Sequence, residues 1–456
     1  MSASTAPRFR WGNTETGWET LPVRVREQLL ACGARHWTEI HQNVPSYNEI
    51  WRPLRPVVVT SSMFAALHEV SVRISELILQ ACRRRAGTAG ELRQALGVPP
   101  GRIRLLDEDE PLSEELLISS RPDVLFSGGV PKFVEFNIDG ALGGAFDSDN
   151  LAANFDAYYR ADGIGEQAGI YPPPSAVDGR LQTVARWLGP AEDRRVVMVM
   201  DWSVGHAGAA DPRQFLSFLQ PVSDRAARAG FELIPYWLHW LEADEQRRLL
   251  VDGQPVSHVL RMFVPDTAPP GSGVDALERV VRAGNVRCFT SAATWLLTNK
   301  LTLAWLWQDL PQLAAADQEL VRAHIPATAL LTADGVAEAV ARRSELVLKP
   351  MDGSSGRDVL LGRDAGPEQW RQAVERASAD GGFLLQEFIM CDPLPMDFIN
   401  ITNGEVVSEA VPACFGPYLF GGRQCGGELR IGFPGGGSVM NVAMGALVDG
   451  FALVEG

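Results

Sequence analysis

Residues 121–139 have the sequence RPDVLFSGGVPKFVEFNID, which predicts two short strands joined by a Ser-Gly-Gly turn. Because side chains alternate between the two faces of a strand, Glu135, Asn137 and Asp139 are expected on one face of the second strand. Arg121 and Asp123 alternate in the same way on the first strand. The hairpin could therefore present one arginine, carboxylates and an amide oxygen to a shared point, a set that suits a hard dication bridged to phosphates.

Lysine is rare in this chain, and its positions are informative. Of the 41 basic residues, only Lys132, Lys300 and Lys349 are lysines, and the others are arginines. A lysine is a compact point charge that reaches a phosphate oxygen from a narrow slot, whereas arginine is a wide planar fork. Each lysine falls in a segment that resembles a phosphate or metal site, although retention at three exposed positions by chance is the alternative.

The segment around Lys349 predicts strand, turn and strand. Residues 345–350, ELVLKP, are followed by the small-residue run of 351–361, MDGSSGRDVLL. Gly353 and Gly356 allow close approach of the backbone to a ligand, and the amides around Ser354 and Ser355 could form an anion-binding concavity. A plain glycine-containing hairpin is the alternative. The segment contains neither a P-loop nor a dinucleotide-binding fingerprint.

A polar pair interrupts the next apolar strand. In residues 383–389, FLLQEFI, Gln386 and Glu387 stand where buried strands rarely place charge without a partner. Towards the end of the chain, residues 429–441, LRIGFPGGGSVMN, carry Asn441 but no acidic pair. A hard dication needs anionic oxygen ligands, so we expect those ligands to come from the hairpin at 121–139.

The order of these motifs resembles the ATP-grasp superfamily. In that superfamily a strand lysine, a flexible Gly/Ser loop and a "Gln-Glu-aromatic" strand follow one another, and Lys300 in Thr298-Asn299-Lys300-Leu301 looks like the earlier lysine of the set. Arg-x-Asp followed by Glu-x-Asn-x-Asp, ahead of the lysines, resembles the glutathionylspermidine synthase-like branch. That branch is a circularly permuted ATP-grasp fold.

The resemblance implies roles for particular residues. Asp123, Glu135 and Asn137 would ligate Mg²⁺, and Arg121 would face the transferred phosphoryl group. The residues implied to bind ATP are Lys300, Lys349, Gly353, Ser354, Ser355, Gly356, Gln386 and Glu387. Arg430 best matches the phosphate-binding arginine that the family has towards the end of the chain, and Arg423 is the alternative. The role of Lys132 is left open.

The predicted fold is mixed α/β: a circularly permuted ATP-grasp fold with a small parallel-sheet domain. Pro172-Pro173-Pro174 marks the clearest boundary. We expect an N-terminal region with the hairpin (1–174), a small α/β domain (175–290) and an ATP-clamping lobe (291–456). Helices are expected at 21–33, 63–86, 148–160 and 211–229, and buried strands at 195–200, 231–237 and 258–263.

Composition restricts the partners. The chain has 456 residues, 46% of them hydrophobic, and a formal charge of −15, so a nucleic acid would meet mostly repulsion. No segment resembles a signal peptide or membrane span, which predicts a cytoplasmic protein without a membrane partner. The six cysteines lack paired spacing and are expected to be free thiols. Self-association into a homo-oligomer is left open.

These features together predict an ATP-dependent carboxylate–amine ligase. Its acid and amine are expected to be small molecules or peptides that the sequence does not identify. Two alternatives belong to other classes: a kinase-like phosphotransferase, and a nucleotide-binding protein without turnover. The full set of Arg121, Asp123, Glu135 and Asn137 disfavours the second alternative, because a protein that only binds nucleotide does not need a complete metal shell.

Overall fold

The computed structural model describes residues 17–41, 48–190, 193–201, 212–268, 270–353, 358–436 and 445–456. The described α-helices, in chain order, are α1 Gly17–Thr20, α2 Val23–His41, α3 Ser61–Arg83, α4 Ala89–Ala95, α5 Ala145–Ala161, α6 Ile164–Ala168, α7 Ala176–Leu188, α8 Pro212–Ser217, α9 Gln220–Arg228, α10 Ser272–Arg282, α11 Thr294–Leu297, α12 Leu301–Gln308, α13 Ala315–His324, α14 Val336–Ala341 and α15 Pro367–Asp380. Among the described residues, no helix has both the length and the apolar character needed to cross a bilayer.

The described strands, in the same order, are β1 Trp51–Pro53, β2 Val57–Thr60, β3 Ser119–Ser127, β4 Val130–Ile138, β5 Ile170–Tyr171, β6 Arg195–Met200, β7 Glu232–Trp237, β8 Glu242–Ala243, β9 Leu249–Val251, β10 Gln254–Val256, β11 His258–Met262, β12 Arg287–Phe289, β13 Thr328–Leu330, β14 Leu346–Pro350, β15 Leu360–Leu361, β16 Phe383–Glu387, β17 Leu394–Asn400, β18 Val406–Val411, β19 Ala413–Phe420, β20 Arg423–Ile431, β21 Leu447–Asp449 and β22 Phe451–Val454. The chain is therefore mixed α/β, as the sequence predicts.

A five-stranded antiparallel sheet contains the predicted hairpin. Its strand order is β21-β20-β19-β3-β4, so strands from the first third of the chain pair with strands from the last tenth. Alternation along β3 and β4 buries Val124, Phe136 and Ile138 on the core side. The opposite, partly buried side carries the polar residues of the hairpin. The proposed domain boundaries at 174 and 290 stay a prediction.

A parallel four-stranded sheet, β12-β11-β6-β7, packs beside this sheet and confirms the predicted βαβ rhythm. Strand β6 is buried along Val196–Val199, which is typical of a parallel strand covered on both faces. The prediction of a single helix at 211–229 is wrong, because the chain forms two helices there, α8 and α9. The helix predicted at 21–33 is too short, since α2 continues to His41.

A second antiparallel sheet, β13-β16-β14-β15, carries the segments around Lys349 and Gln386. Trp370 of α15 is fully buried behind it and donates from its indole nitrogen to the Ala339 carbonyl at 2.9 Å. Three smaller sheets, β1-β17-β18, β2-β22-β5 and β10-β9-β8, complete the described strands. Helix α3 packs against the main core, and Thr60 caps its N-terminus by accepting a hydrogen bond from the Met63 amide.

A buried ion pair joins the hairpin to the parallel sheet. Arg261 of β11 donates to both carboxylate oxygens of Asp139, at 2.6 and 3.1 Å, and the Asp139 side chain is 3% exposed. Thr294 donates to the same carboxylate at 2.9 Å. Asp139 lies just beyond the end of β4, so the expectation that it shares a site with Glu135 and Asn137 is wrong. Its carboxylate instead forms an ion pair with Arg261.

We predict that Asp139→Ala lowers the free energy of unfolding by about 3–5 kcal/mol, because it leaves the Arg261 guanidinium buried without its counter-charge. Urea denaturation followed by tryptophan fluorescence measures this loss. The control is Asp156→Ala, which removes an ion pair to Arg160 on the surface of α5 and should change stability little. Equal losses in the two variants would contradict the assignment of a structural role to the buried pair.

Candidate functional site

Strand register brings the four predicted hairpin residues together. Arg121 lies opposite Asn137 and Asp123 lies opposite Glu135, with an irregularity in the register after Asp123. The Asn137 amide nitrogen lies 3.5 Å from a carboxylate oxygen of Asp123. The alternation in the sequence therefore predicted this part of the site correctly.

Carboxylates and cations alternate across the face of the main sheet. Asp123 pairs with Arg430 at 2.6 Å, Glu428 pairs with Arg121 at 2.7 Å, and the Arg430 Nε atom lies 3.6 Å from Glu428. These pairs cross the middle strand β19, where Gly416 lies opposite Glu428. A Cβ atom on Gly416 would lie 2.9 Å from Cδ of Arg121, so glycine is needed for the arginine to pass over the strand.

Glu428 is a site residue that the sequence analysis did not assign. It is 7% exposed and accepts ion pairs from both arginines of the site. Its separation of two residues from Arg430 was the available signal, because residues i and i+2 of a strand share a face. Its partner Arg121 lies about three hundred residues earlier, and sequence spacing gives no indication of that contact.

The two nucleotide-type lysines converge on the hairpin from different elements. Lys300, immediately before α12, pairs with Glu135 at 3.0 Å, and its ammonium also donates to the Gly353 carbonyl. Lys349 of β14 donates to the Gln386 side-chain oxygen at 2.6 Å. Gln386 is 3% exposed and is held by Thr328 at 3.1 Å, so it fixes the position of the Lys349 ammonium.

Burial and neighbouring charges shift the pKa values of Asp123 and Lys349 in this network. Burial favours the neutral form of Asp123, but the guanidinium groups of Arg430 and Arg121 outweigh it and hold the pKa of that carboxyl below its usual value. Burial lowers the pKa of Lys349 to about 8, Glu135 partly opposes the shift, and Lys300 adds to it. Asp123 is thus a carboxylate at neutral pH, whereas Lys349 titrates close to physiological pH.

A cleft of about 530 Å³ opens onto this network. Its lining combines charged and apolar groups: Asp123, Glu135, Lys349, Gln386, Glu387 and Arg430 with Leu125, Val134, Val347, Val359, Leu361, Phe388, Ile389 and Met390. The volume lies within the roughly 300–1,000 Å³ typical of small-molecule sites. An apolar wall beside clustered cations suits a molecule with a flat apolar part and an anionic part.

The remaining predicted residues are placed as follows. The Glu387 carboxylate lines the cleft and accepts from the Ala327 amide at 3.3 Å. Arg430 faces the cleft, whereas Arg423 is exposed at the opposite end of β20. The three predicted loop residues Ser354, Ser355 and Gly356 lie outside the described part of the chain, and so does Asn441.

Lys132 does not share the surroundings of the other two lysines. Its ammonium donates to the Ala323 carbonyl at 2.6 Å, at the end of α13, and it is not among the residues that line the cleft. The interpretation that each lysine belongs to a phosphate or metal site is therefore wrong for Lys132. Lys300 and Lys349 both contact the hairpin, and their binding of phosphate stays a prediction.

The cationic side chains and the oxygen-bearing side chains of the site together fit a magnesium–nucleotide complex. Among the described residues, the buried Nε atoms of Arg121 and Arg430 have no hydrogen-bond partner, which leaves donors available for anionic oxygens. Asp123, Glu135 and Asn137 offer the hard oxygen ligands that Mg²⁺ prefers. Each of the two carboxylates pairs with a cation, Arg430 or Lys300, that could exchange its carboxylate for a phosphate oxygen.

Comparison with solved structures shows the fold. The chain matches a glutathione synthetase-like effector from Globodera pallida with a TM-score of 0.55 and 14% identity, over 94% of this chain and 97% of that one. A putative γ-glutamylcysteine synthetase from Methylobacillus flagellatus gives a TM-score of 0.45 and 10% identity, over 86% and 88% of the two chains. D-alanyl-alanine synthetase A from Vibrio cholerae gives 0.28 and 12%, over 49% and 67%.

No protein-family model matches the sequence, and neither does any curated protein sequence. The match to the glutathione synthetase-like effector confirms the predicted resemblance at the level of the fold. The two matches with lower TM-scores add no argument about the fold or the site.

The lowered pKa of Lys349 predicts that the affinity for a nucleotide depends on pH. Its ammonium form attracts phosphates, and in the free protein it is lost as the pH rises through about 8. We therefore predict that the Kd for a non-hydrolysable ATP analogue, measured by calorimetry, rises up to about tenfold per pH unit above pH 8, because binding must then take up a proton. Lys349→Met should bind more weakly at pH 7 and lose this pH dependence. A steep profile in that variant would assign the titration to another group.

Proposed function

We propose that this chain is an ATP-dependent carboxylate–amine ligase that uses Mg²⁺ and forms an amide through an acyl phosphate. One observation carries the proposal: hard oxygen ligands and Arg121 from one hairpin form a charge network with three cations from three other places in the chain, and this network borders a nucleotide-sized cleft. The three cations are Lys300, Lys349 and Arg430. The fold shared with a glutathione synthetase-like protein supports the same reaction class.

The proposed chemistry begins with activation of the acid. A carboxylate is a poor acyl donor because oxide would have to leave. An oxygen of the acid attacks the γ-phosphorus of ATP, the bond from that phosphorus to the β-phosphate bridge breaks, and ADP leaves with the electron pair. An amine then attacks the acyl carbon and forms a carbon–nitrogen bond. The bond from that carbon to the phosphate oxygen breaks, phosphate leaves with the electron pair, and the amine nitrogen loses a proton.

The side chains contribute mainly by neutralising and positioning charge. Lys300, Lys349 and Arg430 would hold the phosphate oxygens, and Arg121 would face the transferred phosphoryl group. Held by Asp123, Glu135 and Asn137, Mg²⁺ would supply further neutralisation of the phosphate charge. Gln386 keeps the Lys349 ammonium oriented, so that little reorganisation is needed when the nucleotide binds.

A circularly permuted order of the ATP-grasp elements is part of the proposal. The hairpin with the metal-type ligands precedes both lysines in the chain, yet it pairs with β19 and so lies one strand away from β20, which carries Arg430. This sheet is continuous in space but not in sequence. Such an arrangement is what a permuted chain order would produce.

ADP release should depend on both an acid and an amine. Purified protein is incubated with ATP, Mg²⁺ and pools of small and peptidic carboxylates, with and without a pool of amines, and products are identified by mass spectrometry. Amine-dependent ADP release with a condensation product of the acid and the amine is expected. A stable phosphorylated product without amine would indicate a kinase instead, and nucleotide binding without ADP release would contradict turnover.

Two substitutions test the proposed metal ligands. Glu135→Gln and Asn137→Ala should each lower kcat by on the order of 10²-fold or more, because each removes an oxygen that would hold Mg²⁺. Both variants should keep the circular dichroism spectrum and melting temperature of the parent. Glu405→Gln, an exposed change at the turn before β18, is the charge-matched control for Glu135→Gln. Near-normal rates at saturating magnesium in both ligand variants would remove the metal assignment.

A further inference from the structure

Arg180 is a partly buried cation beside the proposed site, on the first turns of α7. One terminal nitrogen donates to the Leu142 carbonyl at 2.6 Å, and the other lies 3.5 Å from the Met262 sulfur. The guanidinium also lies over the Phe420 ring, 4.9 Å from its centroid. These partners are a neutral carbonyl, a weak acceptor and an aromatic face, and none of them carries a negative charge.

The neighbouring arginines of this region are paired differently. Arg121, Arg430, Arg261 and Arg225 each have a carboxylate within ion-pair distance. Within the described ranges, Arg180 has no such carboxylate, and its Nε atom is buried without a hydrogen-bond partner. A partly buried cation that has no carboxylate in ion-pair contact is costly, and the more distant Asp149 carboxylate compensates it only in part. An anionic ligand would remove that cost.

The turn between β4 and α5 links Arg180 to the proposed reaction centre. Arg121 donates to the Gly143 carbonyl at 3.0 Å, one residue after the Leu142 carbonyl that Arg180 binds. The Tyr418 hydroxyl donates to the same Gly143 carbonyl, and its ring stacks on Phe420 at 5.6 Å. Gly143 itself is exposed, so the turn that links Arg121 and Arg180 is open to solvent.

The topology of the parallel sheet also favours a ligand site at Arg180. Met262, which contacts Arg180, is the last residue of β11. In open α/β sheets, ligands bind in the crevice outside the carboxyl ends of the parallel strands. Arg180 therefore lies where the carboxyl edge of the parallel sheet meets the Arg121 side of the reaction centre.

We propose that Arg180 binds a second carboxylate of the acid substrate, whose reacting carboxylate lies at Arg121. The acid is thus a dicarboxylate, or a peptide with a free carboxylate besides the one that reacts. This inference rests on the proposed function. A planar guanidinium can hold a carboxylate through two parallel hydrogen bonds, which explains why arginine is suited to the position.

Binding of acids without ATP tests the inference directly. The probes are succinate, glutarate and adipate, each compared with its monomethyl ester, and calorimetry gives the Kd values. The parent protein should bind at least one dianion roughly 10–100-fold more tightly than its monoester, the value of a charge-assisted contact. Arg180→Gln should lose that preference. The absence of any preference in the parent, or its persistence in Arg180→Gln, would overturn the inference.

A matched control and a stability measurement separate ligand binding from a structural role. Arg186→Gln removes an exposed arginine from the same helix, where it donates to Thr183 at 2.7 Å, and should keep the dianion preference. Arg180→Gln should melt at or above the parent temperature without acids, because it removes an unpaired, partly buried charge. A large drop in melting temperature together with equal loss of binding to dianion and monoester would instead show that Arg180 is structural.

Turnover distinguishes this inference from the proposed function. If the parent ligates a dicarboxylate, Arg180→Gln should raise the KM for that acid at least about tenfold with a smaller change in kcat, and Arg180→Lys should recover part of the loss. An unchanged KM would overturn the role of Arg180 alone. If no acid is ligated but the dianion preference depends on Arg180, the ligase proposal fails while the anion site stands.

Discussion

The arrangement of the site depends on the buried Asp139–Arg261 ion pair. Asp139 ends the hairpin and Arg261 belongs to the parallel sheet, so their bidentate contact fixes one sheet against the other. Thr298 extends the junction, because its hydroxyl contacts the backbone nitrogen and carbonyl of Ile138 at 3.1 and 3.2 Å. Thr298 lies two residues before Lys300. The same junction that holds the hairpin therefore also sets the distance between Lys300 and Glu135.

The charges of the site form a network in which each group has an alternative partner. Asp123 and Glu135 pair with Arg430 and Lys300, although the same carboxylates could hold a metal ion and the same cations could hold phosphates. Such pairing keeps strong charges in place in a partly buried setting, where an isolated charge would be costly. Binding of a magnesium–nucleotide complex would exchange partners within the network and leave few charges uncompensated. The positions of the side chains would then need little change, which is the property that electrostatic preorganisation requires.

Local pattern predicted the parts of the site that lie within one element. Alternation placed Asp123, Glu135 and Asn137 on a common face of the hairpin. Lys349 marked the strand β14, and Lys300 marked the start of the helix α12, both of which converge on that face. Alternation stops where a strand stops, and for this reason it misplaced Asp139. The contacts Arg121–Glu428 and Asp139–Arg261 join residues far apart in the chain, and a single sequence contains no signal for such pairs. Likewise, the sequence alone did not show that Arg430 rather than Arg423 faces the cleft, because this depends on the position of each along β20.

Sheet connectivity explains why the site needs distant parts of the chain. Strand β3 has the hairpin partner β4 on one side and β19 on the other, so its second edge is satisfied only by residues near the end of the sequence. An unpaired edge would leave backbone groups without hydrogen bonds and would separate Arg121 from Glu428. The small residue Gly416 on β19 is what allows these two side chains to meet across the strand. The hairpin supplies the metal-type ligands, but Arg430 of β20 and Lys300 supply the counter-charges that keep those ligands in position.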